Sequence, residues 1–149
     1  MQKVTTSVLM FFGLVCLSNV AHAVTRLASG APIALVYRGP GVCLENCSEA
    51  AAAVAHRAGF RVKYVRPEDI SEALLARGSV WIQPGGDAIV VAKQITREQK
   101  LLLRQFVAKG GAYLGFCAGA FLADTKVDDE NLVDGLGLIS VITYDYKTE

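Results

Sequence analysis

The stretch Ala112-Tyr113-Leu114-Gly115-Phe116-Cys117-Ala118-Gly119-Ala120-Phe121-Leu122-Ala123 decides how this chain is read. Its first half, Ala112 to Phe116, is a short run behind Gly110-Gly111 that reads as a strand. From Ala118 to Ala123 a helix begins. Between the two stands Cys117, with a glycine two residues away on either side. A G-x-Cys-x-G sequence at a strand-to-helix junction is the pattern of a nucleophile elbow, where glycines admit a sharp turn that pushes the central side chain out. Free amides and the helix dipole at such a position favour thiolate over thiol. The competing reading is a buried cysteine at the end of a small-residue strand.

Working outward, the same alternation repeats. Ile33-Ala34-Leu35-Val36-Tyr37 reads as a buried strand ended by Arg38-Gly39-Pro40-Gly41. The Ala-rich run Cys47 to Ala58 predicts a helix, with Asn46 or Ser48 as cap and Gly59 as stop. Arg61 to Val65 alternates as a second strand, and Pro67 to Arg77 carries Ile70, Leu74 and Leu75 at helical spacing. Val80 to Gln83 makes a third strand that runs into Pro84-Gly85-Gly86-Asp87. Thr96 to Lys109 has a capping box, Thr96 with Gln99, and one apolar face. This order predicts an α/β fold: a three-layer, doubly wound, flavodoxin-like and mostly parallel sheet. Beyond Asp124 the pattern weakens to a polar loop over Lys126 to Asn131 and a strand around Ile139 to Tyr144. Asp124, Asp128, Asp129 and Glu130 lack the spacing and central glycine of a calcium loop, so they read as a solvated surface.

In such a sheet, ligands bind at the carboxyl edge of the strands. Besides Cys117, that edge receives Gly85 and Gly86, whose backbone amides can face an anion or oxyanion with no side chain in the way. It also receives the first loop, with Cys43 and Cys47 four apart at a helix start. A local Cys43–Cys47 disulfide is the leading reading; pairing of one of them with Cys117, or a three-thiolate metal site without a nearby histidine, are the alternatives. No metal or other cofactor is expected.

The chain has 149 residues, 52% hydrophobic and 19% charged, which excludes a disordered protein. Much of the apolar excess lies at one end. Lys3, an apolar run from Val8 to Leu17, and Ala21-His22-Ala23 have the three-part layout of a cleaved secretory signal peptide over residues 1–23. The run is too short to span a bilayer, and Val15 before Cys16 does not suit a lipoprotein site. Taking 23 from 149 leaves 126 residues, enough for a single domain over 24–149, with 14 basic and 14 acidic side chains. The expected location is periplasmic or secreted. A neutral balance with no basic cluster argues against nucleic acid and, for the mature chain, against membrane as partners.

Pro84-Gly85-Gly86-Asp87, the elbow from Gly115 to Ala123, Gly135-Leu136-Gly137-Leu138-Ile139 and the opening Val36-Tyr37-Arg38-Gly39-Pro40-Gly41 together resemble the class I glutamine amidotransferase-like superfamily. Within it they are most similar to the domain found at the N-terminus of biotin-protein ligases. The resemblance runs from about Ile33 to Ile142. It implies Cys117 as nucleophile, Gly85 and Gly86 as oxyanion loop, and Ala118 as donor of the amide after the nucleophile.

Such amidotransferases complete a Cys-His-Glu triad with residues well after the elbow, and no histidine follows Cys117. His56 lies nine residues into the first helix, roughly 12 to 14 Å from the sheet edge at 1.5 Å per residue. Position 118, where related families place histidine, is alanine. Glu45, and after it Glu49, are the candidate substitutes, although an ionised carboxylate alone would raise a neighbouring thiol's pKa. The expectation is a C-terminally shortened, amidotransferase-like domain with an incomplete catalytic set that binds a small anionic or carbonyl-containing molecule. The alternatives are an active cysteine-dependent amidase and a thiol-redox or metal-binding protein.

Overall fold

The computed structural model describes residues 30–128 and 133–142. The leader expected over 1–23 lies outside them, as do Asp129, Glu130 and residues 143–144 of the last expected strand. The chain divides into two units, 1–31 and 32–149, and only Gly30 and Ala31 of the first are described.

The second unit is built on four parallel strands, β1 (Ile33–Tyr37), β2 (Arg61–Val65), β3 (Val80–Gln83) and β4 (Ala112–Gly115), in the order β2-β1-β3-β4. The chain runs from β1 outward to β2, then crosses back to β3 on the other side of β1. The reversal leaves a crevice at the carboxyl ends of β1 and β3, the place where open α/β sheets hold ligands.

Strand periodicity sorts the core into two layers. Ala34, Val36, Val80 and Ile82 pack with Ala51, Ala52 and Ala55 of α1 (Cys47–Arg57). Leu35, Tyr37 and Trp81 pack on the opposite face, beneath α2 (Glu72–Leu75), α3 (Ala88–Gln94) and α4 (Arg97–Ala108). Because both faces of β1 are covered, its last four residues are fully buried and its sequence is apolar without alternation. A one-turn helix, α5 (Ala118–Phe121), follows β4.

Four segments differ from the sequence expectation. The helix expected over Pro67 to Arg77 is split into a 3-10 turn, Pro67–Asp69, and α2, because Ile70 and Ser71 are extended and the Ser71 hydroxyl caps α2 by accepting the Leu74 N–H. Helix α3 was not expected; Asp87 starts it by accepting the Val90 N–H at 2.9 Å, and its Ile89-Val90-Val91 run disguises it. Lys126–Asp128 is not a loop but strand β5, antiparallel to β6 (Val133–Asp134), with Val127 buried in the core. Residues 139–142 form no strand: the N–H groups of Leu138 and Ile139 both donate to the Ala123 carbonyl, and only Ile142 makes an isolated bridge, to Lys126.

Candidate functional site

Strand β4 hands over to α5 at Cys117, whose backbone lies at φ 51°, ψ −122°. A non-glycine residue held there costs about 1–3 kcal/mol and persists only where its surroundings impose it. They do. The Phe116 N–H donates to the Gln83 carbonyl at 2.9 Å, continuing the ladder past β4, and the Gly119 and Ala120 N–H groups donate back to Phe116 and Cys117, each at 2.8 Å. The Tyr113 hydroxyl donates to the Gly119 carbonyl at 2.5 Å. Burial, with the Asp124 charge as a second cause, pushes the Tyr113 phenol well above its ordinary range, so it stays a neutral donor. A Cβ on Gly119 would stand 2.3 Å from the Gln83 oxygen, and one on Gly115 would stand 2.4 Å from the Gly119 oxygen. The turn therefore closes only with glycine at both positions. The Cys117 thiol is free and exposed. Because α5 is a single turn, its dipole is far weaker than that of the longer helix expected there.

The β3 loop packs directly against this turn. A Cβ on Gly85 would lie 3.3 Å from the Cys117 Cβ and 3.9 Å from the Cys47 Sγ. Gly86 has φ 147°, and a Cβ there would meet the Gly41 oxygen at 2.0 Å. That approach lets the first loop be stitched onto the third: Val42 and Gly86 form an antiparallel bridge, the Cys43 N–H donates to the Gly85 carbonyl at 3.1 Å, and the Asp87 N–H to the Gly41 carbonyl at 2.7 Å. Among the described residues, no acceptor takes the N–H of Gly85, Gly86 or Ala118.

Cys43 and Cys47 are joined in a disulfide, with Cα atoms 5.7 Å apart. Asn46 closes the intervening turn in the left-handed region and starts α1 through its backbone carbonyl, not its side chain. Leu44 and Glu45 at the tip are exposed. The Glu49 carboxylate pairs with the Arg38 guanidinium at 2.8 Å, and Arg38 also lies 4.9 Å over the Tyr64 ring. These groups, with Cys43, Val42 and Arg66, line a cleft of about 750 Å³ that Cys117 and Gly85 do not line. His56 is exposed in the last turn of α1.

The structure thus gathers Cys117, Gly85 and Cys47, with Gly86 and Ala118 beside them. It does not gather the suggested bases. Among the described residues, no carboxylate or imidazole bonds Cys117, and no group of three or more His, Cys, Asp or Glu side chains could hold a metal. No described helix is long and apolar enough to cross a membrane. Two residues of the site escaped the sequence reading. Tyr113 looked like one more apolar strand residue. Gln83, fully buried at the end of β3, accepts the Trp81 indole N–H at 3.3 Å and leaves its own Nε2 without a partner. A lone amide closing an apolar strand was the available signal for it.

The fold is that of the class I glutamine amidotransferase-like proteins. Superposition agrees: the chain is similar to the crystal structure of a protein assigned as peptidase E from Listeria monocytogenes EGD-e (TM-score 0.60, 17% identity, 79% of this chain and 69% of that one). It is also similar to a crystal structure of a glutamine amidotransferase (TM-score 0.53, 22% identity, 72% of this chain and 55% of that one). No curated protein matches the sequence. The model of the family described as biotin-protein ligase, N terminal, matches residues 33–134, and the chain belongs to that family.

Proposed function

We propose that this is an exported domain that binds a small anionic or carbonyl-containing molecule at the edge formed by Gly85, Gly86, Ala118 and Cys117, and that its own residues do not complete a hydrolytic triad. The observation that carries the reading is the exposed Cys117 on a strained strand-to-helix turn, packed against a glycine loop whose amides have no acceptor in the described fold. Unpaired amides beside a nucleophile are the arrangement that receives an anion or an oxyanion. The two histidines of the 149-residue sequence both precede Cys117: His22, in the expected leader, and His56, in the last turn of α1. Export is supported by the leader and by a Cys43–Cys47 disulfide, a bond that persists in oxidising compartments.

The test is the rate at which iodoacetamide labels Cys117, with and without inorganic phosphate or acetate. Protection by either anion is expected, together with equal hydrolysis of amide and ester substrates by the wild type and Cys117→Ser. Absence of protection would remove the binding reading. Turnover abolished by Cys117→Ser would replace it with an active amidase. N-terminal sequencing of the exported chain should begin at Val24; an intact Met1 would refute the leader.

A further inference from the structure

We infer that Cys117 and the Cys43–Cys47 disulfide form one exchangeable set of three sulfurs, in which Cys117 attacks the Sγ of Cys47 and Cys43 leaves. This goes beyond the ligand-binding reading and does not rest on it.

The argument starts at Gly85. The Cys117 Cβ and the Cys47 Sγ lie 3.3 and 3.9 Å from the point where a Gly85 Cβ would stand, which bounds their separation at about 7 Å. Glycine places no side chain between them. The loop after β3 is tied to the disulfide loop by the Val42–Gly86 bridge and to the Cys117 turn by the Phe116 N–H bond to the Gln83 carbonyl, so the attacking thiol and the disulfide flank one shared loop. Cys117 meets the other requirements of an attacking thiol: it is reduced, exposed and bonded to no neighbouring acid or base among the described residues. Of the two disulfide sulfurs, that of Cys47 is the nearer to the Gly85 position, at 3.9 Å, which makes Cys43 the leaving group. Cys43 lines the Arg38–Tyr64 cleft, into which the departing thiolate would be released.

The step balances without an outside oxidant. Cys117 releases its proton to water, its sulfur bonds to Cys47, the Cys43–Cys47 bond breaks, and Cys43 leaves as thiolate and is protonated by water. One disulfide and one thiol are present before and after. Exchange therefore masks Cys117 and moves the free thiol from the glycine edge into the Arg38–Tyr64 cleft.

The experiment uses full-length chains that all carry Cys16→Ser, with Cys43→Ser or Cys47→Ser added, checked for folding by circular dichroism and equilibrated in a glutathione redox buffer. In Cys43→Ser, loss of both thiols to maleimide and a linked Cys47–Cys117 peptide are expected; in Cys47→Ser, no Cys43–Cys117 link should form. Two labelled, unlinked thiols in folded Cys43→Ser would overturn the inference. Should that variant not fold, the unreduced Cys16→Ser chain is labelled slowly with limiting iodoacetamide and mapped after acid quench. Label on Cys43 in part of the singly labelled molecules supports exchange, and label on Cys117 alone refutes it. Anion protection of Cys117 is read separately in the Cys43→Ser, Cys47→Ser double variant, where exchange is impossible, so the two readings fail independently.

Discussion

Gly119→Ala sets two physical rules against each other. Gly119 lies in α5 outside the left-handed region, and alanine is worth up to about 1 kcal/mol over glycine in a helix interior, less in a single turn. Local propensity therefore predicts a slightly more stable protein. Packing predicts the reverse. The added Cβ would meet the Gln83 oxygen at 2.3 Å, the Gln83 carbonyl carbon at 2.9 Å and the Pro84 oxygen at 2.9 Å. All three are backbone atoms at the end of a buried strand, so no rotamer change relieves the contact. Overpacking of this kind costs about 1–3 kcal/mol, and the absence of any flexible neighbour places it at the upper end. The net loss should be about 2 kcal/mol, which for a domain of this size lowers Tm on the order of 10 °C. Urea unfolding followed by the fluorescence of Trp81, the one tryptophan and fully buried, reads the change directly. Gly59→Ala is the comparison: its Cβ would meet nothing within 4 Å, so only the strain of its φ of 84° remains, about 1–2 kcal/mol. A Gly119→Ala midpoint at or above wild type would refute the contact between the Cys117 turn and the β3 loop.

Tyr113→Phe removes the hydroxyl that donates to the Gly119 carbonyl and should cost about 1 kcal/mol; an unchanged urea midpoint would mean the bond holds nothing. Thr96→Ala breaks the capping box of α4, where the Thr96 hydroxyl accepts the Gln99 N–H at 3.2 Å and the Gln99 side chain accepts the Thr96 N–H at 2.9 Å, and a loss of about 1 kcal/mol is expected by the same assay. Tyr37 ties stability to alkaline pH: burial, then the Glu68 charge, pushes its phenol from 10.0 up to about 12. The unfolded chain then gives up the proton first, so this contribution is complete below pH 10 and is lost as pH rises from 10 to about 12. Urea midpoints measured across that window should fall less steeply in Tyr37→Phe than in wild type; parallel slopes would contradict the assignment.

β1 and β3 were legible because strands buried on both faces are short and apolar and end at turn residues, and the largely exposed edge strand β2 was legible from its alternation. β1, β2 and β3 begin and end where Ile33–Tyr37, Arg61–Val65 and Val80–Gln83 suggested. The capping box at Thr96 and Gln99 likewise marked α4 at its first residue. What escaped depends on longer-range contacts. Helix α3 is written in β-branched residues, and what fixes it is the Asp87 cap together with burial of Val91 and Ala92. The β5–β6 pair looks polar in sequence because only Val127 of its first strand enters the core. At the site, residue types gave the glycines and cysteines. The contacts of Tyr113 with Gly119 and of Gly85 with two sulfurs arise only once three loops meet at one edge.

Helix α1 rests on the sheet through Ala51, Ala52 and Ala55, side chains no larger than a methyl group. It therefore rides low and acts as a stiff lever, with the alanine row as fulcrum and Cys47, one turn ahead of Ala51, at the tip. A bulkier residue at Ala51 would lift that tip and widen the gap at Gly85. The position of one sulfur thus depends on a row of methyl groups farther along its helix, together with the Ser48 hydroxyl that donates to the Tyr37 carbonyl at 2.8 Å.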